Sequence, residues 1–154
     1  MAEPRKIIID TDPGQDDAAA IMLALGSPEL DILGLTTVAG NVPLAHTERN
    51  ARAICELAGR ADLPVHAGCD APLSRPLVTA EHVHGKTGLD GVTLPEPVMP
   101  LAPGHAVDFL IESGGASLAQ MLDAAMERRY SANPDETFFT GGGVHQIGRA
   151  SCRE

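Results

Sequence analysis

The sequence predicts an α/β domain built on a doubly wound, mostly parallel, Rossmann-like sheet with helices on both faces. Three observations carry this. Apolar, β-branched runs alternate with helical stretches over the first 66 residues. The runs lack the strict period-2 alternation of a sheet wetted on one side, as expected for strands buried on both faces. Each run also ends in a polar loop, "DTDPGQDD", "TTVAGN" and "HAGCD" in turn. Such sheets bind ligands beyond the carboxyl ends of their strands, so the three loops are expected to share one edge.

The elements follow in order. "KIIID" is a first strand, and "DDAAAIMLALG" is a helix that begins on acids and stops at Gly26. "LDILGLTTVAGN" is too rich in Ile, Thr and Val for a surface helix and forms a second strand with its loop. In "VPLAHTERNARAICELAG", Leu44, Ala51, Ile54, Cys55 and Ala58 share one helical face. Pro43 suits the first turn of that helix and Gly59 its end. "LPVHAG" is a third short strand. Residues 67–104, rich in proline and glycine, form a long loop region with room for short helical turns. "HAVDFLIE" and "SLAQMLDAAMERRY" are packing helices, and "ETFFTGGG" is a strand entering a glycine turn.

Composition narrows the partners. A formal charge of -10 with only 11 Lys and Arg excludes a general nucleic-acid binder, which needs a basic footprint. No apolar run is long enough to cross a membrane, and "MAEPRKIIID" passes from charge to strand without a signal-peptide core, so a cytoplasmic location is expected. Cys55, Cys69 and Cys152 form neither a paired framework nor a CxxC motif. Cys55 is expected to pack within its helix.

The chemistry gathers at "DTDPGQDD", four aspartates in eight positions. Period 2 puts Asp10 and Asp12 on the same side of the backbone, and Pro13-Gly14 turns Asp16 and Asp17 back at a helix start. Acids there are stabilised by the macrodipole or by capping, each by ~0.3 to 1 kcal/mol, which accounts for one or two of the four. Carboxylates about 4 Å apart repel by ~1 kcal/mol in water and ~4 kcal/mol at an effective dielectric of 20. A hard divalent cation with oxygen ligands relieves that conflict, and the lack of nearby Cys or His pairs favours calcium over zinc. An EF-hand is excluded, because Gly14 and Ile21 stand where its loop needs acids. A magnesium phosphatase of the haloacid dehalogenase type would use Asp10 and Asp12 but has no need of the Asp16-Asp17 pair.

"IIIDTDPGQDDAAAIMLAL", "LGLTTVAGN" and "HVHGKTGLDG", in that order and spacing, resemble the nucleoside hydrolase family of the inosine-uridine preferring type, over roughly residues 5–112. The resemblance implies calcium-dependent hydrolysis of the N-glycosidic bond of ribonucleosides to free base and ribose. By similarity, Asp12 is both a calcium ligand and the general base for the attacking water. Asp17 is a bidentate calcium ligand, Asp16 and Asn41 hold the ribose, and Asp10 supports the site from behind. His84 stands where such enzymes place a histidine near the base, and His82 is a surface or loop residue. A small-molecule nucleoside is then the partner, and the resemblance implies a dimer or tetramer for the full-length protein.

Past residue 112 the motifs stop. The "GxLTN"-like loop with its calcium-binding threonine carbonyl has no counterpart in "ESGGASLAQMLDAAMERRYSANPDET". The expected organisation is therefore an apparently truncated domain over 1–112, a continuation of uncertain origin over 113–145, and a non-native tail over 146–154. That tail, "QIGRASCRE", resembles the translation of a sequencing-library adapter and is expected to be read-through, so Cys152 is given no role. Two alternatives stay open from the residues alone: the magnesium phosphatase, and a non-catalytic fragment that holds calcium or ribose.

Overall fold

The computed structural model describes residues 3–72, 74–113 and 145–147. Within them the chain runs β1 (Arg5–Thr11), α1 (Gln15–Leu25), β2 (Leu30–Thr37), α2 (Leu44–Leu57), β3 (Val65–Ala67), α3 (Glu81–His84) and β4 (His145–Ile147). The four strands form one sheet in the order β3-β2-β1-β4, with every neighbouring pair parallel. Parallel pairing puts all the strand ends at one edge, as the alternating pattern of runs and helices predicts.

Ile7 and Ile9 of β1 and Ile32 and Leu35 of β2 pack with Ile21, Ala24, Ala51, Ile54 and Cys55 of the two long helices in a single core. α1 and α2 therefore lie together on one face of the sheet. Side chains alternate along a strand, so Ile8 and Gly34, partners in the β1-β2 register, point to the other face. There the Phe109 ring, from the helical residues 106–113, stacks on His66 at 4.2 Å. A Cβ on Gly34 would lie 2.8 Å from Phe109 Cζ, so only glycine lets that ring settle on the strand.

The ends of α2 follow from its residues. Pro43 precedes the first turn, and Gly59, at φ +72°, follows the last. The Gly59 N–H donates to Glu56 O at 2.9 Å and the Arg60 N–H to Cys55 O at 2.8 Å, the paired bonds of a Schellman close. Buried Thr47, Asn50, Ala51, Ile54 and Cys55 form the inner stripe. Burial pushes the Cys55 thiol up to about 11, in keeping with a packing role.

The polar flank of α2 holds the long loop down. Arg49 Nε donates to Glu96 Oε2 at 2.7 Å, Arg52 Nη1 to Met99 O at 3.1 Å, and Glu56 Oε1 accepts the Val98 N–H at 2.6 Å and also the Met99 N–H. β4 is a strand that no pattern in the sequence announces. It pairs with β1 at the register Ile7↔His145 to Ile9↔Ile147, and so includes the first two residues of the expected tail. The expected helix at 117–130, the strand at 136–143 and Cys152 lie outside the described residues. Among those residues, no helix is long and apolar enough to cross a membrane.

Candidate active site

Three strand ends meet at the carboxyl edge, and the first two bring the acids together with an amide. β1 finishes at Thr11, and Asp12-Pro13-Gly14 turns the chain into α1. Asp12 is only 6 % exposed. Its Oδ2 accepts the Asn41 N–H at 2.7 Å, and Asn41 Nδ2 donates in return to Asp12 O at 2.9 Å. Asn41 is itself buried, in the loop after β2, so this two-way clasp joins the two strand ends. Its geometry depends on Gly40, where a Cβ would fall 2.1 Å from Asp12 Oδ2.

Asp17 stands at the third position of α1 and reaches back. Its Oδ2 accepts the Gly14 N–H at 3.1 Å and lies 3.5 Å from Asn41 Nδ2, while its Oδ1 accepts the Thr11 hydroxyl at 2.8 Å. A carboxylate bonded to the N–H just before a helix is half of a capping box. Asp17 is thus both a member of the acidic cluster and the residue that starts α1. Asp10 accepts the hydroxyl of Thr36, its register partner on β2, at 2.7 Å. Asp16 is exposed on the first turn of α1.

His84 ends α3 and lies over the same turn. Its Nδ1 is 2.7 Å from Gln15 Oε1, and a Cβ on Gly14 would come within 2.6 Å of that nitrogen. Gln15 Nε2 donates to Asp90 O at 3.4 Å, which fixes the amide orientation and makes Oε1 the acceptor. In this arrangement Nδ1 is the donor to Gln15 Oε1. His82 is exposed, as expected of a loop residue.

The electrostatics are those of crowded acids. Burial pushes the Asp12 carboxyl up from 3.8 to about 6, the Asn41 N–H pulls it back, and the charges of Asp17 and Asp10 push it further up. A buried carboxylate with two acidic neighbours and, among the described residues, no cationic partner is the environment that a cation would stabilise. The donors are hard oxygens, which suits calcium in kind. Among the described residues, however, no group of three or more His, Cys, Asp or Glu is placed to hold a metal ion.

The structure thus brings Asp12, Asp17 and Asn41 into one hydrogen-bonded network, sets Asp10 beside it and His84 at its rim, and leaves Asp16 outside those bonds. Thr11, Thr36, Gly40, Gln15 and Asn50 complete the support and were not singled out from sequence. For Thr36 the signal was available, since a hydroxyl one strand across from an aspartate becomes a donor once a parallel register is assumed; Thr11 meets Asp17 only through the turn into α1. Asn50 was visible as a polar residue on the inner stripe of α2. Gln15 carried no signal.

The family profile described as inosine-uridine preferring nucleoside hydrolase matches residues 7–133, and so runs past the point where the motifs end. The inosine-uridine preferring nucleoside hydrolase of Crithidia fasciculata is 39 % identical over 166 aligned residues, covering 98 % of this chain and 52 % of that protein. The pyrimidine-specific ribonucleoside hydrolase RihA of Photobacterium profundum is 55 % identical over 106 residues, 69 % of this chain and 34 % of that protein. Among solved structures, a purine-preferring ribonucleoside hydrolase from Gardnerella vaginalis superposes with a TM-score of 0.67 at 35 % identity, over 71 % of this chain and 36 % of that one. The chain thus spans between a third and a half of the length of these relatives.

Proposed function

Because the chain belongs to the inosine-uridine preferring nucleoside hydrolase family, we propose that it carries the acidic half of a ribonucleoside N-ribohydrolase site, whose reaction releases free base and ribose. The observation that supports this most is the buried Asp12 carboxylate, clasped by Asn41 and flanked by Asp17 at the strand edge. Family membership, rather than the Asp-x-Asp spacing, separates this reading from the phosphatase alternative.

The chemistry follows from the groups present. Cleavage of an N-glycosidic bond passes through an oxocarbenium-like sugar, which the charges of Asp12, Asp17 and Asp10 stabilise. Asp12 takes a proton from water as the water oxygen bonds to the anomeric carbon. A carboxyl held near 6 is a stronger base than an ordinary one and stays mostly ionised at neutral pH. Asn41 and Asp16 would orient the ribose hydroxyls. His84, as an imidazolium with a proton on each ring nitrogen, would deliver its Nε2 proton to the departing base nitrogen, and the proton that Asp12 took from water balances it, so that one water is consumed for each bond broken. Calcium is the cofactor of this reading: Asp12 and Asp17 would hold it, and when bound it makes a nearby water more acidic. A homodimer or homotetramer is the assembly proposed for the whole protein.

The test is release of hypoxanthine from inosine and of uracil from uridine, with calcium and after chelation, for the chain and for Asp12→Asn. Release that requires calcium and Asp12 supports the reading. Calcium and ribose binding by calorimetry without any release would replace it with the ligand-holding alternative. Neither binding nor release would overturn it.

A further inference from the structure

We infer that Asn50 is a positioning residue, a strut that ties the acidic turn after β1 to the loop after α3 and so sets where His84 stands relative to Asp12; this rests on the hydrolase reading above. Asn50 is 1 % exposed, on the inner stripe of α2. Its Nδ2 donates to Pro13 O at 3.3 Å and to Thr87 O at 2.7 Å. Pro13 directly follows Asp12, and Thr87 lies three residues beyond His84. An amide nitrogen has two hydrogens, and here each goes to a carbonyl of a different site loop. Both partners can only accept, so the orientation of the amide is determined.

The other end of the side chain shows that packing does not explain the residue. Among the described residues, nothing donates to the buried Asn50 Oδ1. A buried carbonyl oxygen without a donor costs stability, and an apolar side chain at this position would avoid that cost. What such a side chain cannot supply is the pair of N–H donors. The loop is shaped to reach them: Gly88 adopts φ +84°, and a Cβ there would press to 3.0 Å from Pro13 O and 3.1 Å from Asn50 Nδ2. α2 is in turn anchored to the sheet edge, where the Thr47 hydroxyl donates to Val38 O at 2.9 Å. A second link between the two loops is the exposed His84-Gln15-Asp90 chain on the outside. The buried strut and the outer chain bracket the segment that carries His84.

The test compares Asn50→Leu, which keeps the branching but is bulkier and loses both donors, with Asn50→Asp, which keeps size and shape and loses them too. Amide exchange at Gly14 and Gly88 is expected to quicken together by about ten-fold or more, while Arg60, which closes the far end of α2, stays unchanged. The NMR signal of His84 Nδ1, at fixed pH, is expected to move toward that of a solvated imidazole. With inosine, kcat is expected to fall while KM holds, and Asn50→Leu is expected to add no further loss in a His84→Ala background. An unmoved His84 signal with unchanged loop amides would overturn the inference, as would loosening of Arg60 by the same factor or fully additive losses in kcat. If the unsubstituted chain releases no base, the hydrolase reading fails, and the exchange and ring-signal results still decide whether Asn50 is the strut.

Discussion

Replacing Asp12 by asparagine should stabilise the chain in the absence of metal, although it removes the proposed general base. The carboxyl is held near 6 in the folded protein against 3.8 when solvated. The folded state therefore binds this proton more tightly than the unfolded state does. Below pH ~4 the group is neutral in both states and costs nothing; between ~4 and ~6 the unfolded state ionises first, and stability falls as pH rises. A displacement of about two pH units corresponds to ~3 kcal/mol, reached above pH ~6. Asparagine keeps an oxygen for the Asn41 N–H and carries no charge, so it should escape that loss. Urea unfolding in chelator at pH 3.5, 5 and 7 reads the difference directly. The variant should equal the parent at the lowest pH and exceed it by up to ~3 kcal/mol at the highest, and millimolar calcium should narrow the gap by stabilising the parent alone. A difference that does not change with pH, or a variant weaker than the parent at pH 7, would refute the picture of an uncompensated buried carboxylate.

Further outcomes test the neighbouring contacts. Gly40→Ala forces a methyl against Asp12 Oδ2 and should cost ~1.5 to 3 kcal/mol through the lost charged hydrogen bond, with loss of exchange protection at the Asn41 amide. Thr36→Val keeps volume but removes the hydroxyl donor to Asp10, and a similar ~1.5 to 3 kcal/mol loss at pH 7 should appear in urea unfolding. His84→Ala should slow inosine hydrolysis by about 100-fold or more, yet spare a riboside whose leaving group departs as a stable anion; equal losses on both would argue against proton delivery by His84.

Much of this was legible in the sequence because it rests on local periodicity and on the rule that parallel strands deliver their loops to one edge. β1 to β3, both long helices, and the convergence of the loops after β1 and β2 follow from those alone, whereas Asn41 was reached only through the family resemblance. The acids were legible as charge, but not as bonded groups. Counting carboxylates leads to a shared cation, whereas the coordinates show Asp17 already serving Thr11 and the start of α1, and Asp10 serving Thr36. That distribution depends on donors brought in by register and turn geometry, which spacing does not encode. The loop over α2 was legible as a loop, but its fastening by Arg49, Arg52 and Glu56 needed the three-dimensional path. β4 is three residues long with no β-branched pattern, and only its partner edge on β1 makes it a strand.

The order of the elements also has a kinetic consequence. Asp10, Asp12, Asp17 and Asn41 all lie in the first two strand-helix units, so the repelling acids are drawn together by short-range closures. The β1-β4 pairing, by contrast, joins residues 7 and 145 across most of the chain. Contacts so distant in sequence are slow to form, and domains built N-terminal first assemble their early units before such pairings arrive. The acidic cradle should therefore exist, with its charge uncompensated, for a period in which the outer edge of β1 is still open. A cation present during synthesis would act as a folding aid before it could serve any catalytic purpose.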